Sequence, residues 1–162
     1  MNTYLLLSVR SLVWLAASVL APMAWGAETT YDFVACGNQK YTLLEASADI
    51  TAVGAEQWAI VASSTTKDWE NATQHCVGFW RKLEGKEAGK GLCKWSDPAG
   101  NTAVGEYEQM ASGEGSWVWL TGTGKFKGIK GGGRWKVVSN AKPIVEGTGQ
   151  FCSHDWGKYT LP

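Results

Sequence analysis

Large apolar side chains recur at every second position along most of this chain, and no other feature narrows the possible folds as far. "EQWAIVAS" sets Trp58, Ile60 and Ala62 on one face. "HCVGFWRKL" separates Val77, Phe79 and the Arg81 stem from Cys76 and Trp80. "GLCKWSD" groups Cys93 with Trp95, "SWVWLTG" groups Trp117 with Trp119, and "RWKVV" groups Trp135 with Val137. Period two in aromatic and β-branched residues is the pattern of a half-buried strand. The stretch most compatible with a helix, "TTKDWENATQ", has no apolar stripe and reads as a loop with at most one turn. Turn-forming clusters separate the alternating runs: "GNQK", "EGKEAGKG", "SDPAGN", "ASGEG" and "GIKGGG". With Pro98 and Gly100, "SDPAGN" reads as a hairpin loop. Short strands at regular spacing predict an all-β domain, a sandwich or a barrel.

Residues 1–26 read as a secretory signal peptide. Arg10 supplies a positive start, Ser11 to Ala21 form a short uncharged core, and Ala24 and Gly26 place small residues at the cleavage site. The core is short for a membrane span, which takes about 20 apolar residues. The expected mature chain begins at Ala27 or Glu28, and residues 27–162 form one domain. No later segment is long and apolar enough to enter a membrane stably. The protein is therefore expected to be exported, to the periplasm or beyond the cell.

Acidic and basic residues balance at 15 each, and no basic run interleaves with aromatics. Nucleic acid is not expected as a partner, because neutralising phosphates needs a concentrated positive surface. Lys125, Lys127, Lys130, Arg134 and Lys136 cluster, but in a pattern that suits a solvated rim. Four cysteines, Cys36, Cys76, Cys93 and Cys152, follow the leader. An even number behind a secretory signal points to disulfides, and these residues alone leave three pairings open. They form no C-x-x-C, and neither a metal nor a cofactor is implied.

"GTGKFKGIKGGGRWK", Gly122 to Lys136, lacks the Ser/Thr and the spacing of a phosphate loop. It also lacks the helix that follows a dinucleotide fingerprint. Phe126, Ile129 and Trp135 interrupt its glycines, so it is not a flexible linker. It reads as a compact corner between two antiparallel strands, with glycines where the backbone needs positive φ or close approach, and with Phe126 and Ile129 plugging the core. Together with the preceding "SWVWL", the stretch resembles the glycine-rich hairpin of the allene oxide cyclase and dirigent β-barrels. It is more similar still to that of small bacterial secreted proteins with the same barrel. Gly122, Gly124, Phe126, Gly128, Ile129, Gly131, Gly133 and Trp135 occupy the motif's positions. The segment "GKGLCKWSDPAGNTAVGEYE" is similar to a second hairpin of such proteins. The resemblance implies a single antiparallel barrel of about eight strands. It carries no activity, because the family's pocket residues find no matching positions here. In such a barrel Cys76 and Cys93 face each other across a hairpin. Closure brings Cys36, near the start, beside Cys152, in the last strand.

Few residues suggest chemistry. His154 and Asp155 adjoin, but neighbours on a strand point to opposite faces, so they are not expected to act as a pair. His75 reads as structural or surface, and Glu106 with Glu108 as a solvated strand face. Of ten tryptophans, two (Trp14 and Trp25) lie in the leader. Most of the rest are expected to fill the core. Trp117, Trp119 and Trp135, near the glycine hairpin, are the candidates for lining a ligand pocket. The expected function is non-catalytic binding of a small apolar or aromatic ligand, or of a partner. The alternative is a cyclase or isomerase working inside the barrel.

Overall fold

The computed structural model describes residues 26–111 and 113–162. The expected leader falls outside them apart from Gly26. The alternating runs become eight strands: β1 (Glu28–Ala46), β2 (Ile50–Ser64), β3 (Thr73–Leu83), β4 (Lys86–Ser96), β5 (Thr102–Ala111), β6 (Glu114–Gly122), β7 (Lys130–Ala141) and β8 (Thr148–Thr160). Each pairs antiparallel with the next, and β8 returns to β1, so the sheet closes into a barrel. Closure gives every strand a neighbour on both sides and so removes the long open edges that pair with other chains. Register shifts at Val34/Ala35 and Leu43/Glu45 in β1, Val104/Gly105 and Gln109/Ala111 in β5, and Val137/Ser139 in β7 supply bulges. Bulges add the local bend and twist that a small barrel needs.

The up-and-down order gives the barrel two unlike ends. Hairpins β1–β2, β3–β4, β5–β6 and β7–β8 lie at one end. The other three connections lie at the opposite end, which is packed solid with rings. Tyr31, Phe33, Trp69, Trp95, Phe126 and Tyr159 are each at most 1% exposed there. Trp69 comes from the β2–β3 loop. Its ring stacks on Trp119 at 5.1 Å and on Phe126 at 4.7 Å between centroids. A polar clasp covers this plug. Lys125 bridges Asp68 at 3.0 Å and Asp97 at 3.1 Å, and the Tyr159 hydroxyl donates to Asp68. Asn101 donates two further bonds, both 2.8 Å, to Asp97.

The glycine-rich stretch forms the corner between β6 and β7. Gly122 ends β6, Gly124–Phe126 form a 3₁₀ turn, and β7 starts at Lys130. Phe126 and Ile129 are fully buried. Gly131 has φ +111°, and a Cβ there would run into the Lys158 carbonyl. One pleat further on, the Tyr31 hydroxyl, which donates to the Gly132 carbonyl at 3.2 Å, occupies the space of a Gly133 side chain. The strip is therefore glycine because neighbouring backbone and a core tyrosine lie against it.

Both disulfides join residues directly opposite on adjacent strands. Cys76–Cys93 links β3 to β4 inside the barrel, and Cys36–Cys152 links β1 to β8 across the closure. These are the expected pairings.

Candidate functional site

The half of the barrel beneath the four hairpins is hollow. It encloses a cavity of about 520 Å³. Alternation determines its lining, since every second residue of each strand points inward. The floor is shared with the plug: Trp117 and the Cys76–Cys93 disulfide belong both to the buried core and to the cavity wall, and so, nearer the β7–β8 hairpin, does Phe151. Higher up, Tyr41, Trp80, Tyr107 and Trp135 contribute further rings. Room for the Tyr107 ring comes from Gly78 and Gly91, which pair across β3 and β4; a Cβ on either would strike that ring.

Amide side chains interleave with the rings. Gln39, Gln57, Gln74 and Gln109 line the wall from β1, β2, β3 and β5. Gln57 Nε2 donates to Gln39 Oε1 at 2.9 Å, and Gln109 Nε2 to Glu87 Oε2 at 3.5 Å. Exposed aliphatic residues surround the mouth at the hairpins: Leu43 and Leu44, Met110, and Ile144 with Val145.

Asp155 is the cavity's most buried charged group, at 2% exposure. Its flanking cross-strand neighbours are Phe33 on β1 and Trp135 on β7. The Ser153 hydroxyl donates to Oδ2 at 2.7 Å. Burial pushes the carboxyl up to about 7, outweighing the Ser153 hydrogen bond and the pull of His154. Removing water from around a carboxylate disfavours the charged form, and one hydroxyl is a poor substitute for a hydration shell. Asp97 in the clasp shows the opposite balance. Burial opposes its ionisation as well, yet Asn101 and Lys125 bring it down to about 2.

The tryptophans expected to line a pocket divide. Trp117 and Trp135 are on the cavity wall, while Trp119 lies in the plug, with its ring 4.8 Å from that of Trp95. Gly122, Gly124, Phe126, Gly128, Ile129, Gly131 and Gly133 all belong to the corner and β7 and line no part of the cavity. His154 and Asp155 point to opposite faces. His154 bonds Asp32 at 2.9 Å on the outside, as His75 bonds Glu56 at 2.9 Å. Glu106 is also outside, paired with Lys90 at 3.2 Å. The sequence reading named Asp155 only as the neighbour of His154 and did not place it in the interior, although a signal was present. Phe151, Ser153, Asp155, Gly157 and Tyr159 share one face of β8, so two aromatic residues bracket the aspartate at period two. The inward glutamines had no such signal, because a polar residue in an alternating strand normally faces water.

No protein-family model matches the chain, and no curated protein matches it. Among solved structures it is similar to the pterocarpan synthase dirigent protein GePTS1, with a TM-score of 0.53 and 13% identity, over 95% of this chain and 100% of that chain. The pterocarpan synthase dirigent protein PsPTS1 is similar at the same TM-score and identity, over 83% and 96%. At this identity the likeness is one of fold: the chain is a dirigent-like eight-stranded barrel.

Proposed function

We propose that this protein is an exported barrel that binds a small ligand with an apolar or aromatic body in its half-hollow interior. The cavity of about 520 Å³ carries the reading. Its size, its aromatic walls and its few convergent polar groups are those of a small-molecule site. The packed plug supplies a rigid floor, and the four hairpins leave an entrance. Export after removal of residues 1–26 belongs to the same reading and is supported by the two disulfides, which persist in oxidising compartments. The resemblance to small bacterial secreted barrels fits it as well. The mass of the exported chain checks the cleavage.

The test uses N-phenyl-naphthylamine, a neutral aromatic probe whose emission rises in apolar surroundings. Binding is expected in the parent and lost in Ala55→Trp, which places a ring in the cavity from β2. Equal emission with both proteins would sink the interior-binding reading.

One observation favours the enzymatic alternative. A buried carboxyl held at about 7 is poised to donate or accept a proton. The neighbours' names contain "synthase", but 13% identity lends this chain no chemistry. If Asp155 acts on a ligand, mass spectrometry will find the bound compound altered by the parent and intact with Asp155→Asn.

A further inference from the structure

The cavity wall contains two carboxylates, Glu87 and Asp155, and among the described residues no lysine, arginine or histidine lines it. A chamber built for a fatty acid, a phosphate or another anion is expected to supply a cation, and this wall presents none among the described residues; the amides of Gln39, Gln57, Gln74 and Gln109 are neutral. The wall presents aromatic rings instead. Trp135 is the direct cross-strand neighbour of Asp155, Trp117 forms part of the floor, and Tyr107 faces in from β5. Ring faces carry negative potential, and a cation over several of them beside a carboxylate is strongly favoured once water is excluded. Among the described residues, Asp155 has a side-chain donor to one oxygen, from Ser153. The other oxygen is left for a ligand.

We infer that the interior site takes a cation: an organic ammonium compound with an apolar or aromatic body, its charge set against Asp155 and the surrounding rings. This rests on the proposal that the cavity is a binding site, and it adds the ligand's charge. The pH dependence has a defined sign. A cation favours the ionised carboxylate, so its affinity rises as pH rises through about 7 and levels off above. A neutral hydrogen-bond acceptor would follow the opposite course, because it needs the protonated acid. Tyr31, on the adjacent strand β1, interacts with Asp155, and the other titratable groups on the cavity wall are Tyr41 on β1, Glu87 on β4 and Tyr107 on β5. Asp32 and His154 act on it from behind the wall.

The experiment compares phenyltrimethylammonium with tert-butylbenzene, two probes of nearly equal shape that differ in charge. Calorimetry and tryptophan fluorescence report binding to the full-length mature protein. At about pH 8.5 the cation is expected to bind at least about tenfold more tightly. The preference should shrink at about pH 5.5, and Asp155→Asn should remove both the preference and its pH dependence. Glu106→Gln, on the outer face and away from the cavity, checks that any loss is specific to the interior carboxylate and should keep the preference. If tert-butylbenzene binds as well as the cation at high pH, the charge inference is overturned and the cavity reading stands. If Asp155→Asn keeps the preference, the assignment to Asp155 is overturned. If neither probe binds, the cavity reading falls and this inference falls with it.

Discussion

Asp155 shows how one inward side chain sets a cost that the rest of the barrel carries. Its carboxyl titrates at about 7 in the folded protein and near about 4 in the unfolded chain. Between those values the folded state holds more protons, so stability falls as pH rises through this window. The shift corresponds to a loss on the order of 4 kcal/mol above about pH 8. Asp155→Asn keeps the shape and a partner for Ser153 but carries no charge. Its urea melt should match the parent at about pH 4 and show greater stability by a few kcal/mol at about pH 8. An equal difference at both pH values would show that Asp155 does not titrate as described. Asp97 works in the other direction. Its carboxyl is held at about 2, so what it adds to stability is present above about pH 4 and is lost as pH falls through about 2.

The β6–β7 corner depends on shape more than on charge. Phe126 is fully buried against Trp69, and Lys125 lies 4.9 Å from its ring centroid. Phe126→Ala should cost about 3–5 kcal/mol, because the packed rings around it cannot collapse into the space. Gly131→Val should cost at least about 1–3 kcal/mol, since a β-branched residue is strained at φ +111° and its Cβ meets the Lys158 carbonyl. Thermal or urea melts measure both. Parent-like melting of both variants would make the segment a loose loop and remove the corner from the account of the plug. The loop that supplies Trp69 depends on the same packing. The indole N–H groups of Trp69, Trp95 and Trp119 have no partner among the described residues, so ring contacts and not indole hydrogen bonds hold these three side chains in the plug.

Across the whole molecule, closure is the step that the chain must stabilise. β1 and β8 meet after nearly the full length of the domain, and Cys36–Cys152 joins them over a separation of 116 residues. Cys76–Cys93 closes a separation of only 17. By the chain-entropy argument, removing the long link should cost nearly about 5 kcal/mol and removing the short one about 3. Urea melts of Cys36→Ala/Cys152→Ala and Cys76→Ala/Cys93→Ala rank the two. If the hairpin link proves the larger, strain or cavity packing outweighs loop entropy here. The short link also faces the cavity, so its removal should weaken probe binding, while loss of the outer link should leave binding intact in the folded fraction.

Much of this architecture could be read from the residues alone. Period-two aromatics determined the strands, because a strand's inner and outer faces follow from local geometry. Turn residues marked the β3–β4, β4–β5 and β5–β6 connections, whereas "GNQK" lies inside β1 and the β1–β2 turn at residues 47–49 went unmarked; the even cysteine count behind the expected leader pointed to disulfides. The glycine stretch could be recognised as a corner because its apolar residues excluded a linker and its spacing excluded a phosphate loop. The cavity could not be read in this way. Whether inward residues fill a barrel or line a hollow depends on eight strands meeting at once, and no window of sequence contains that information. Trp69 illustrates the point: its loop has no periodicity, yet closure places its ring at the centre of the plug. Gln39, Gln57, Gln74 and Gln109 illustrate the converse, being polar residues that alternation alone would turn to solvent. Local chemistry thus determined which face each side chain shares with its neighbours. Only the closed sheet decided which face was the interior, and so placed Asp155 in a chamber with aromatic walls and, among the described residues, no basic side chain.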